Sequence, residues 1–197
     1  MNSERHPFEP FLPTGAKILM LGSFPPQPKR WSIEFYYPNF GNDMWRIIGL
    51  IFFGDKDTFV LSKEKKFDKT KIVEFCREKG IAMYDTACEI IRLKDNASDK
   101  FLQVVEATDI EALLCRIPDC AAIVTTGQKA TDTLVSHFGC PEPPIGSFSE
   151  FDIKMADGTL RHLRLYRLPS SSRAYPLALE KKAEAYREMF LKTGLLP

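Results

Sequence analysis

Lys17-Ile18-Leu19-Met20-Leu21-Gly22-Ser23-Phe24-Pro25 is the stretch whose reading decides the fold. Four apolar residues in a row end at a glycine, and small or turn-forming residues follow at once. A short continuous apolar run between Gly15 and Gly22 reads as a strand buried on both faces, the kind that builds parallel sheets. Such strands alternate with helices that cover the sheet.

The rest of the chain supplies that alternation. Asn42 or Asp43 can cap a helix in which Trp45, Ile48, Ile51 and Phe52 recur at spacings of three and four. Ile72, Phe75 and Cys76 mark one face of a helix over 71–79, stopped by Gly80. Residues 81–84 form a second short strand ending at Asp85 and Thr86, and 102–105 a third. A short helix over 109–116 stops before Pro118, and 121–125 is a fourth strand. The turn at Thr126 and Gly127 opens a helix over 128–138. Residues 148–155 and 161–168 alternate around Asp157-Gly158, a hairpin signal, and a last helix covers 179–191. Residues 25–41 are rich in proline and aromatics without a period and read as an ordered loop. The fold expected is α/β: a three-layer α/β/α sandwich around a mostly parallel sheet of four to five strands. It forms one domain over 1–197, with 1–15 as an N-terminal extension.

Composition bounds the function. With 197 residues and 44% hydrophobic content the chain can bury a sizeable core. No apolar run approaches the roughly 20 residues that span a bilayer. Met1 to Pro10 is polar and charged, so no signal peptide is expected and the cytoplasm is the default location. Cys76, Cys88, Cys115, Cys120 and Cys140 form no Cys-x-x-Cys pair and no zinc-spaced set with histidine, so reduced core thiols are expected, with no metal and no cofactor. Net charge is +1, which supplies no global basic field for nucleic acid. Residues 161–187 hold seven Lys/Arg against Glu180 and Glu184, a local excess of five (seven minus two) around a serine-rich loop.

Three segments can carry chemistry. Gly22-Ser23-Phe24-Pro25 follows the first strand, Tyr36-Tyr37-Pro38-Asn39-Phe40-Gly41-Asn42-Asp43-Met44-Trp45 follows the loop, and Leu168-Pro169-Ser170-Ser171-Ser172-Arg173 follows the last strand. Strand ends of this kind build binding crevices in open α/β sheets. Taken singly, each has a plainer reading. The first is a strand-to-loop turn, Asn42 is a helix cap, Asp85 caps a turn, and the serines start a helix. His6, His137 and His162 are scattered and receive no catalytic role. No Walker, Gly-x-Ser-x-Gly or Gly-x-Gly-x-x-Gly motif points to another α/β enzyme class.

In order, these segments resemble the uracil-DNA glycosylase superfamily, in particular its mismatch-specific uracil/thymine and hypoxanthine-DNA glycosylase branches. Those branches have a Gly-x-Asn-Pro-Gly or Gly-Ser-x-Pro-Gly turn, a Tyr-Tyr-x-His-Pro-x-Asn-x-Phe-Trp stretch and a Pro-Ser-Ser-Ser-like loop. The segments at Gly80 to Thr86 and Thr126 to Ala130 also match, so the likeness runs from about 16 to 190. The resemblance implies a monofunctional glycosylase that flips a deaminated base (uracil or hypoxanthine) out of DNA and hydrolyses its glycosidic bond by water attack, starting base excision repair. It implies catalytic roles for Asn42 and Ser23, base binding by Phe24, Tyr36, Tyr37 and Asp85, and phosphate binding by Ser170, Ser171, Ser172 and Arg173. The implied partner is DNA holding a damaged or mismatched base, bound by a monomer, with no membrane contact.

The chemistry asks for the same residue types. The base leaves with negative charge, so it needs stacking rings and aimed donors. Aromatic side chains including Phe40 can stack, backbone N–H groups after Gly22 and a side-chain amide can donate, and serine hydroxyls can hold phosphates. This chain departs from the pattern at Phe24, where the mismatch-specific branch has a water-activating Asn. The hypoxanthine branch also lacks that Asn and relies on a later one, matched by Asn42. Asn39-Phe40 stands at the His-Pro pair, and Asp85 at an Asn that reads uracil. An ionised carboxylate accepts but does not donate, which suits a ring N–H. Two further readings stay open: an inactive DNA-binding module of the same fold, and a hydrolase of free nucleosides or nucleotides.

Overall fold

A computed structural model describes residues 2–94 and 101–197. Its elements run β1 (Glu4–Arg5), β2 (Ile18–Gly22), α1 (Met44–Phe53), β3 (Val60–Leu61), β4 (Lys66–Phe67), α2 (Lys69–Lys79), β5 (Ile81–Asp85), β6 (Ala87–Arg92), β7 (Leu102–Ala107), α3 (Ile110–Arg116), β8 (Ala122–Thr126), α4 (Gln128–Phe138), β9 (Ser147–Lys154), β10 (Leu160–Leu168) and α5 (Leu179–Lys192). The main sheet has the order β5-β2-β8-β10-β9. Strand β2 pairs in parallel with β5 and β8, and β8 in parallel with β10. All five residues of β2, β5 and β8 are buried, as continuous apolar runs require.

The expectation of a mostly parallel sheet is corrected: the sheet is mixed. Strand β9 pairs antiparallel with β10, from Leu160 against Lys154 to Arg167 against Ser147. A second sheet, β1-β6-β7, has only antiparallel pairings. The segment over 102–105, read as one of the four core strands, belongs to that second sheet as β7. Its inner partner β6 carries Cys88, Glu89 and Arg92, with no apolar run to announce it. The register also shifts on either side of Glu89.

Residues 2–15 are bound to the body of the protein. Beyond the β1–β6 pairing, Phe11 and Met83 exchange backbone hydrogen bonds of 3.0 and 2.9 Å. The first of the two bonds runs from Phe11 N–H to Met83 O, so the segment pairs with the outer strand β5 and limits its exposed edge.

The parallel register fixes where a crevice can form. Gly22 is level with Asp85, and Leu168 with Thr126, so four strand ends lie at one end of the sheet. From β2 the chain crosses to β5 on one side, and from β8 to β10 on the other. The gap between the ends of β2 and β8 is therefore the switch point at which open α/β sheets bind ligands. Among the described residues no helix is long and apolar enough to cross a membrane.

Candidate active site

A cleft of about 850 Å³ opens at that switch point. It is lined by the turn after β2, residues 36–39, Gly41, Asn42, Asp85, the β8–α4 turn and Ser170 to Ser172. The volume lies within the roughly 300–1,000 Å³ range of small-molecule sites.

Gly22 is at the floor because nothing larger fits. A Cβ there would enter the space of Asp85 Oδ1, and the Tyr37 hydroxyl lies 3.9 Å from the same point. Asp85 is buried, and its Oδ2 lies 2.9 Å from His6 Nε2. Ser23 is buried beside it and lines the cleft.

The aromatic residues divide by role. Tyr37 has a left-handed backbone, φ 50°, which is strained for a residue of its size. Its hydroxyl lies 2.8 Å from Thr126 Oγ1, so the side chain reaches the end of β8. Tyr36 is 3% exposed and donates to the Glu9 carbonyl at 2.7 Å. Burial, with Asp85 adding repulsion, pushes its phenol well above the ordinary range, so it stays neutral. Phe24 lines the cleft and is buried against Ala87, Ile90 and Leu102. Phe40 does not line it. Its ring packs on Phe67 at 5.1 Å and under the Arg46 guanidinium at 4.5 Å.

Asn42 and the serine loop meet across the cleft. Asn42 forms an antiparallel bridge with Ser172, and Asp43 N–H donates to the Ser171 carbonyl at 2.9 Å. Asn42 is pinned further by its own N–H to Asn39 O, by Arg46 on its carbonyl, and by Met44 N–H on its Oδ1 at 2.9 Å. The last bond makes an Asx turn that starts α1. It occupies the amide oxygen and leaves the NH₂ as donor. Asp43, read as a possible cap, makes no cap bond with its side chain. Its carboxylate instead takes Lys182 Nζ at 3.1 Å and Arg173 Nε at 3.2 Å.

Ser170 Oγ accepts from Ser172 N–H at 3.2 Å and Ser172 Oγ from Ala174 N–H at 3.3 Å. Each accepted bond uses a lone pair and leaves the hydroxyl proton free to donate outward. Ser171 is buried. Arg173 is mostly exposed and paired with Asp43.

Six of the seven cations over 161–187 have partners within the protein, Arg173 on Asp43 among them. Arg161 donates to the carbonyls of Leu114, Ile117, Pro118 and Cys120 at the end of α3. Arg164 pairs with Glu150, Arg167 with Glu142, Lys181 with Glu184 and Lys182 with Asp43. The cations that line the cleft come from elsewhere: Arg30, Arg92 and Lys129. Of the five thiols, Cys115 is exposed rather than in the core. Among the described residues no three His, Cys, Asp or Glu side chains gather as a metal site requires.

Of the ten residues given catalytic, base-binding or phosphate-binding roles, nine line the cleft and Arg173 does not; Phe40, the further stacking candidate, does not line it either. What sequence reasoning missed is His6. A lone histidine 79 positions from its partner gives no spacing signal. The available hint was the apolar set Phe8, Phe11 and Leu12, which marks the N-terminal segment as docked.

The fold is that of a solved protein. The solution NMR structure of a "putative Uracil DNA glycosylase" from Methanosarcina acetivorans superposes with a TM-score of 0.62 at 21% identity. The match covers 98% of this chain and 99% of that one. No protein-family model matches the chain, and no curated protein matches it in sequence.

Proposed function

We propose that the chain is a uracil-DNA glycosylase-like enzyme that everts a deaminated base, uracil or hypoxanthine, from DNA and hydrolyses its N-glycosidic bond. The observation that carries the reading is the Asn42–Ser172 bridge. It holds an amide donor and a hydroxyl-rich loop at the mouth of a cleft that has a carboxylate and aromatic rings inside.

The everted base lies against Tyr37 and Phe24, and Asp85 accepts its ring N–H. The C1′–N bond breaks with its electron pair on the base. Water adds at C1′, and the proton it gives up ends on the departed base anion, leaving a neutral free base and an abasic sugar. An amide is too weak a base to remove that proton, so Asn42 orients water or a base carbonyl through its NH₂. Ser23 and the backbone after Gly22 supply further polar contacts at the leaving base. Ser170, Ser171 and Ser172 hold the flanking phosphates, with Arg173 beside them and Lys129 also lining the cleft. The reading also takes the chain as one domain, monomeric and cytoplasmic, acting at the first step of base excision repair without metal or cofactor.

The test is strand cleavage by alkali after incubation with duplexes containing uracil, hypoxanthine or xanthine. Cleavage of at least one supports the reading; folded protein that cleaves none removes it. Phe24 at the water-activating position favours a second reading, an inactive DNA-binding module. Salt-sensitive binding without base release selects that module. Release only from free nucleosides selects a small-molecule hydrolase.

A further inference from the structure

His6 is a buried titratable side chain outside the cleft lining that bonds directly to a lining residue. Its Nε2 is 2.9 Å from Asp85 Oδ2, and its side chain is 2% exposed. The ring is 4.6 Å from that of Tyr84 and 5.2 Å from that of Phe24. Nδ1 lies 2.9 Å from the Phe8 carbonyl and 3.2 Å from the Phe8 amide nitrogen. The backbone is fixed as well, since His6 N–H donates to Cys88 O at 2.8 Å beside the β1–β6 pairing. The imidazole is thus held on every side, and Asp85 is one of its walls.

This arrangement decides what Asp85 can do. An unpaired carboxylate in a buried site is costly, and it repels a base that departs as an anion. With Nε2–H donating to Oδ2, that oxygen is occupied and the negative charge is shared with a proton. Oδ1 lies over Gly22 and remains the acceptor at the cleft floor. Nδ1 then accepts from Phe8 N–H, or donates to Phe8 O when protonated, and both states keep the Nε2–H on Asp85.

We propose, resting on the reading of the cleft as a base-excision site, that His6 is a positioning residue. It fixes the rotamer of Asp85 and spreads its charge so that Oδ1 accepts a ring N–H of the everted base. The N-terminal segment that carries His6, just after β1, is therefore part of the active site.

The experiment is a double-mutant cycle read as kcat/KM for base release from uracil- and hypoxanthine-containing duplexes. His6→Phe keeps a ring between Phe24 and Tyr84 but removes both nitrogens, and His6→Gln keeps a donor toward Asp85. Thermal melts come first, and His6→Met stands in if His6→Phe does not fold. A positioning role predicts that His6→Phe loses about ten-fold in kcat/KM and that His6→Gln recovers to within about three-fold of wild type, since a charge-assisted bond to a buried acceptor has been removed and then replaced. In an Asp85→Asn background the same His6→Phe change costs less than about two-fold, because coupled residues are not additive. A His6→Phe variant within about two-fold of wild type, or an equal loss in both backgrounds, overturns the proposal. Wild-type protein that releases no base overturns the glycosylase reading and this inference with it. An active wild type with a silent His6→Phe removes this inference alone.

Discussion

Lys182 Nζ lies 3.1 Å from Asp43 Oδ2 and 2.8 Å from the Ser172 carbonyl, so one cation 1% exposed ties the start of α1 to the serine loop. Asp43 and Ser172, in or beside two of the segments that line the cleft, are 129 positions apart (172 minus 43). They are held together by this contact, by the Asp43–Ser171 backbone bond and by the Asn42–Ser172 bridge.

Removing that cation should loosen both halves. Lys182→Met leaves the buried Asp43 carboxylate with Arg173 as its ionic partner and frees the Ser172 carbonyl. The expected loss is about 3 kcal/mol in urea denaturation, the lower end for breaking a buried pair. Base release should fall under conditions where the variant is still folded. Unchanged stability would contradict the lock.

Gly22→Ala places a methyl against Asp85 Oδ1. Crowding of this kind costs about 1–3 kcal/mol. The larger effect should be on activity, because the carboxylate must move to make room. A variant as active as wild type would show that the position of Asp85 is immaterial.

Asn42→Asp separates the cap from the chemistry. It keeps an oxygen for Met44 N–H and removes the amide donors. Stability should stay within about 0.5 kcal/mol, whereas Asn42→Ala should lose about 1 kcal/mol with the cap. Both should slow base release by about 100-fold if the NH₂ is the working group. Full activity in Asn42→Asp assigns Asn42 to helix capping alone.

The thiols give a prediction that does not depend on function. Burial holds Cys120 protonated up to about 11 and raises Cys76 as well, while Cys115 is exposed. A disulfide reagent at pH 8 should therefore modify Cys115 quickly and Cys76 and Cys120 only on unfolding. An unfolded thiol ionises near its ordinary 9.0 and the folded Cys120 does not, so this contribution is full below 9 and is lost as pH rises from 9 toward 11. Melting temperature should decline over that window, read by circular dichroism. Rapid labelling of Cys76 or Cys120 in the native state would contradict the packing.

Much of the core was legible because its signals are local. Strands β2, β5 and β8 are apolar runs that stop at Gly22, Asp85 and Thr126, and the β9–β10 hairpin announces itself at Asp157-Gly158. Helices α2 and α4 end at Gly80 and Gly139, both left-handed in the structure. Strand β6 was not legible, since Ala87 to Arg92 has neither a period of two nor an apolar run, and its pairing with β7 is irregular. The second sheet was therefore missed, and β7 was assigned to the wrong one.

At the site, the cleft-lining residues could be read because each lies at a strand end or beside a turn. The contacts that orient them could not. His6 on Asp85 and Lys182 on Asp43 join residues 79 and 139 positions apart. The partners of the basic stretch were hidden for the same reason. Composition counts seven cations but does not show that Arg167, Arg164 and Arg161 are already held by Glu142, Glu150 and four carbonyls after Leu113.

The most direct measurement is the mass of the DNA strand after incubation of wild-type protein with a uracil- or hypoxanthine-containing duplex, read beside the released base. Hydrolysis at the cleft predicts free base together with an intact strand carrying one abasic aldehyde, and no borohydride-trapped adduct with protein. A strand of unchanged mass, from protein shown to be folded, would contradict it.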